Sequence, residues 1–202
     1  MVKKFYVFGF DHPVKAELEH LLSIEKDLRR ASTALHLLIA PSPLMREAGV
    51  FGAALYTQAL VSYVRCFSTG RRKGLCQDIF AAKPELLAAH IDIKSIRDKH
   101  IAHPVSEHEH CNILVAAENA DSPAVGLGIR YWFLVGGDEK QMKLFLKVIE
   151  FTSKHVRHEI KTKGNELAKK VMGSKATWKN AQASFYKSVT DEQVYGPSRR
   201  EE

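Results

Sequence analysis

Cysteine is scarce. Cys66, Cys76 and Cys111 are the only three in 202 residues, and no two share a CxxC spacing. An odd, unpaired set argues against a disulfide framework and points to a reducing compartment. Apolar runs are short as well. The stretch Phe5-Tyr6-Val7-Phe8-Gly9-Phe10 follows two lysines but meets Asp11 too soon for a signal peptide, and no segment is long enough to span a bilayer. A cytoplasmic protein without membrane contact is the expectation. Also missing are a glycine-rich phosphate loop, a GxSxG elbow and an HExxH pair, which removes the commonest nucleotide-binding and hydrolase classes. No internal repeat is visible.

What is present suffices for a core. Hydrophobic residues make up 45% of the chain, and the length suits one domain with room for an appendage. The net charge of +7 is uneven, with nine Lys/Arg against two Glu between Lys154 and Lys187. A solvated helix face and a basic surface for RNA or another polyanion are both open readings of that segment.

Periodicity divides the chain into a strand or arm over 1–10, a helical domain over 11–175, and a partly disordered C-terminal extension over 176–202. In the first helix Leu21, Ile24, Leu28, Ala31, Leu35 and Leu38 step by three and four, leaving Lys26, Asp27, Arg29 and Arg30 outside. Ser42-Pro43 caps a second helix, along which Phe51, Leu55, Ala59, Ser62 and Cys66 trace one stripe. Gln58, Tyr63 and Arg65 are polar points on that apolar rod. The turn Gly70-Arg71-Arg72-Lys73-Gly74 is basic, a short helix is expected over Leu75 to Ala82, and Pro84 opens the next helix. Two β-rich runs, Ile113 to Ala117 and Val125 to Val135, predict a hairpin within about 111–135. Asp138 and Gln141 then fit a capping box. Phe145, Ile149, Thr152, Val156, Ile160 and Leu167 carry the last long helix, and Trp178, Phe185 and Tyr186 suit a final short one. The expected fold is mainly α: a bundle of four to five helices with a small β-hairpin inserted before the last long helix.

The densest chemistry is Ile96-Arg97-Asp98-Lys99-His100-Ile101-Ala102-His103-Pro104, at the end of the helix opened by Pro84. On a regular helix Arg97 and His103 stand about 9 Å apart in rise and roughly 120° apart in rotation, with His100 midway. Pro104 ends the helix and pushes His103 out of the helical region, so the long Arg97 arm and the imidazole could meet in one pocket. Imidazole exchanges protons near neutral pH, and guanidinium grips a phosphate with two hydrogen bonds. Asp98 could orient a neighbouring base. Phosphodiester cleavage by such groups requires no metal or other cofactor.

The run Arg97-Asp98-Lys99-His100-Ile101-Ala102-His103 resembles the signature of the HEPN superfamily, an arginine and a histidine separated by four to six residues, the first usually polar. Here five intervene and the first is Asp98. The likeness in helical layout covers about Asp11 to Val171. It implies a HEPN-like bundle, a homodimer that brings two motifs into one cleft, and a metal-independent endoribonuclease of toxin–antitoxin or abortive-infection type. Arg97 and His103 would then be catalytic, with Asp98 and His100 in support, and RNA cleavage would leave a 2′,3′-cyclic phosphate. Lys99, Tyr63, Arg65, Arg71 and Arg72 are the candidate substrate contacts, and an antitoxin such as a small nucleotidyltransferase is the implied partner. Arg97 and Asp98 could also simply cap or salt-bridge the helix end, with the histidines solvated, and two further readings stay open. One is a non-catalytic HEPN-like module that binds RNA or protein. The other is a zinc site drawn from His100, His103, His108, His110 and Cys111, whose spacings match no familiar finger.

Overall fold

The computed structural model describes residues 4–8, 12–40, 49–70, 72–99, 110–119, 123–132, 137–174 and 185–190. They form strand β1 (Lys4–Phe8), helix α1 (Pro13–Ile39), helix α2 (Gly49–Val64), helix α3 (Pro84–Arg97), strands β2 (His110–Ala117) and β3 (Ala124–Trp132), helix α4 (Glu139–Gly173) and strand β4 (Phe185–Thr190). The architecture is mainly helical, with a two-stranded antiparallel hairpin, β2–β3, immediately before the last long helix. Among the described residues no helix is long and apolar enough to cross a membrane. The chain divides into two compact units, 22–157 and a smaller one made of 1–21 with 158–202.

The larger unit holds the core. Ile24, Leu28, Ala31 and Leu35 of α1 are buried, as the three-four stepping requires, and so are Ala59, Leu60, Tyr63 and Val64 of α2. Phe145, Val148, Ile149, Thr152 and Val156 supply the α4 stripe. Two positions differ from the periodic expectation. Asp27 is buried at 3% exposure instead of lying outside, because Arg72 reaches it from the turn 45 residues on. Phe51 is 58% exposed, since the α2 stripe turns inward only from Tyr56.

Between α2 and α3 the chain makes two 3-10 turns, Arg65–Phe67 and Gln77–Phe80, the second in place of the expected short helix. Phe80 anchors it as a fully buried ring. The basic turn is drawn tight, with the Leu75 N–H donating to the Cys66 carbonyl at 2.8 Å. At Gly74 an added Cβ would lie 2.5 Å from the Ser68 carbonyl oxygen, so only glycine fits that approach.

Pro84 stands in the first turn of α3 as expected. The capping box before α4 is formed reciprocally. The Gln141 N–H donates to Asp138 Oδ1 at 2.7 Å, and the Asp138 N–H donates to Gln141 Oε1 at 3.0 Å.

In the smaller unit β1 pairs antiparallel with β4, Lys4 opposite Thr190. Phe185 and Tyr186 thus belong to a strand, not to a last short helix. The Ser42-Pro43 cap and the tail from Asp191 lie outside the described residues.

Candidate functional site: the C-terminal end of helix α3

Helix α3 presents His90, Ile93 and Arg97 along one line, spaced by three and four residues. His90 and Ile93 are buried, so Arg97 is directed towards the core side two turns beyond His90. Its side chain is only 27% exposed, and the guanidinium meets Asp98 Oδ1 through Nη1 at 3.0 Å. Its Nε–H is buried and has no acceptor among the described residues. The helix widens into a π turn at Asp98 and Lys99, an irregularity frequent at functional sites. Lys94 and Arg97 occupy the last turn, where cations oppose the negative end of the helix dipole, and exposed Lys99 follows. Three cations and one carboxylate thus fall within six residues.

Next along α3 lies an aromatic cluster. The Tyr63 hydroxyl meets His90 Nδ1 at 2.7 Å. Phe67 and Phe80 pack on the imidazole at centroid distances of 4.3 Å and 5.1 Å, and Phe145 stands edge-on to Tyr63 at 5.2 Å. Burial, with the Lys94 charge adding to it, pushes the His90 pKa down to about 4. Burial likewise raises Tyr63 above the ordinary phenol range, and its side-chain hydrogen bond with Thr152 offsets only part of this. A protonated phenol donating to a neutral imidazole is the arrangement these shifts favour.

A second polar cluster surrounds Asp27. Arg72 Nη2 donates to Asp27 Oδ2 at 2.7 Å, and its Nη1 donates to the Ser23 hydroxyl at 2.7 Å. Arg65 Nε and Arg30 Nη1 each approach Asp27 to 3.9 Å. Cys66 is buried nearby, and its thiol pKa is pushed up to about 12 by burial first and by the Asp27 charge second. Such a thiol is inert at neutral pH.

The expected site residues are therefore distributed. Arg97 and Asp98 are in contact, with Lys99 beside them. Arg65 and Arg72 meet at Asp27, and Tyr63 is engaged by His90. His100, His103 and Arg71 lie outside the described residues, as does the zinc cluster, of which His110 and Cys111 are described only as strand positions. Among the described residues no group of three or more His, Cys, Asp or Glu side chains is placed to hold a metal. Of the basic stretch, Arg157 pairs with Glu25 at 3.7 Å, Lys163 with Glu17, and Lys170 with Glu166 at 2.6 Å. That pairing fits a solvated face better than a bare polyanion track.

Sequence reasoning passed over His90 and Asp27. His90 could have been found, because it stands seven residues before Arg97 and hence on the same helix line. Asp27 gives no such sign, since its partner Arg72 is remote in sequence. No family model matches this sequence, and neither the curated proteins nor the solved structures contain a significant match to it.

Proposed function

We propose that this chain is a metal-independent endoribonuclease of HEPN toxin or defence type, acting through Arg97 and His103. The observation that carries the reading is the Arg97 guanidinium, turned to the core side of α3 with a buried Nε–H that has no acceptor among the described residues. Leaving such a donor unpaired costs about 1–3 kcal/mol, and a phosphate oxygen brought to this end of the helix would relieve it. Lys94 and Lys99 on either side favour an anion there.

In this scheme the RNA 2′-hydroxyl attacks the adjacent phosphorus while the bond to the 5′-oxygen breaks. An imidazole takes the proton from the 2′-oxygen, and another donor protonates the departing 5′-oxygen. His103 serves one of these transfers, and His100 or the His103 of a second copy serves the other. Arg97 offsets the charge building on the non-bridging oxygens, and Asp98 fixes one edge of the guanidinium. The products are a 2′,3′-cyclic phosphate and a 5′-hydroxyl. The same reading takes the chain as a cytoplasmic homodimer restrained by an antitoxin such as a small nucleotidyltransferase.

Arg97→Ala and His103→Ala, made separately, each lower the rate of cleavage of single-stranded RNA by roughly 100-fold or more, with helicity unchanged by circular dichroism. Arg97→Lys keeps the charge but loses the bidentate grip, and falls between Arg97→Ala and the parent. Cleavage at the parent rate by both alanine variants contradicts the assignment. RNA binding by a parent chain that never cuts would instead mark a non-catalytic module.

A further inference from the structure

We propose that one face of the β2–β3 hairpin is a self-association surface that joins two copies of this chain. The register sets Ile113 opposite Ile129 and Val115 opposite Leu127 on one face, and Val125, the extra residue of a bulge, ends the strip. All five side chains are between 60% and 74% exposed. They form an aliphatic strip with no charge among them, while Asn112, Arg130, Leu114 and the small residues Ala116, Gly126 and Gly128 fall on the other face.

Two physical facts require a cover. A two-stranded hairpin is marginal by itself in water and needs a further layer or further strands. A soluble chain also seldom leaves a strip of five aliphatic side chains open, because each sheds about 1.5–3 kcal/mol of unfavourable hydration on full burial.

A second copy is the occupant that fits. The pairs Ile113/Ile129 and Val115/Leu127 set aliphatic side chains side by side on both strands. A uniformly aliphatic strip can pack on its own copy about a two-fold axis lying in the interface, as an isologous contact requires. Without a charged group on the strip, electrostatics gives no preference for a partner of opposite sign. At the observed exposures the four paired side chains offer roughly 500 Å² per copy, so face-to-face packing buries about 1,000 Å², the small end of specific interfaces. Both hairpin edges are unpaired among the described residues, which leaves them free to extend the sheet across the two-fold.

This surface supplies the dimer invoked above, and rests on that reading only for the composite cleft. The test is sedimentation of the full chain at micromolar concentrations. The parent sediments as a dimer, whereas Leu127→Glu and Leu127→Lys each weaken association by roughly 100-fold or more, since each buries two like charges in an aliphatic contact. Mixed in equal amounts, the two variants re-form a dimer, which also shows that each retains its hairpin. A parent chain monomeric at about 100 micromolar, variants that dimerise like the parent, or a mixture that stays monomeric each overturn the proposal. Monomeric variants that still cut RNA leave this interface standing and remove the composite cleft. Dimeric variants remove the interface whatever the cleavage result.

Discussion

At His90 burial acts on a group that titrates within the ordinary working pH range. Its pKa is lowered to about 4 in the folded chain, whereas an unfolded histidine titrates near 6.5. Between those values the unfolded chain binds more protons at this position, so stability rises with pH across the window and levels off above it. On acidification from pH 6.5 to 4 the folded state loses roughly 3 kcal/mol at this one side chain. His90→Asn, which still offers Tyr63 an acceptor, removes most of that pH dependence, read as urea midpoints from pH 4 to 7. An unchanged slope in the variant would mean that His90 is not held neutral. The residue scale also shows what a sequence conceals. Arg97 and Asp98 are neighbours in the chain, and their pairing was open to inspection. Asp27 sits among charged residues of α1 and reads as a surface group. Only the fold shows that it is buried and that Arg72, Arg65 and Arg30 gather round it.

Elements were legible where their cause is local. Helix α1 follows from its three-four stepping, α3 from Pro84, and the hairpin from two β-branched runs with a turn between. The box before α4 is the sharpest case, because two side chains three residues apart satisfy two backbone N–H groups. Asp138→Ala removes the acceptor for the Gln141 N–H and costs about 1 kcal/mol. For a chain of this size that lowers the melting temperature by about 2–4 °C, measurable by calorimetry. No shift would mean that the box does not hold the helix start. Strand β4 was illegible for the opposite reason. Phe185 and Tyr186 carry aromatic side chains that suit a helix face or a strand, and the decision is made by pairing with β1 at the other end of the sequence. The 3-10 turn at Gln77–Phe80 is set in the same non-local way, by the contacts of the Phe80 ring with Phe67, His90 and Phe151.

For the molecule as a whole, the helical class and the place of the hairpin could be read from periodicity, but the use made of charge could not. The basic count between Lys154 and Lys187 overstated the free positive surface, since Arg157, Lys163 and Lys170 are each matched by a glutamate. At the end of α3, Arg97 pairs with Asp98 but keeps an Nε–H without an acceptor among the described residues, and it stands between Lys94 and Lys99 in the sequence. If that is where a phosphate is held, the reaction runs without a metal and the histidines supply the proton transfers. The most direct measurement is the reaction of purified full-length chain with single-stranded RNA in excess EDTA, with product ends identified by mass spectrometry. The expected result is cleavage undiminished by the chelator, leaving 2′,3′-cyclic phosphate and 5′-hydroxyl ends. Cleavage abolished by EDTA and restored by magnesium, or cleavage that leaves 5′-phosphate ends, would contradict the account.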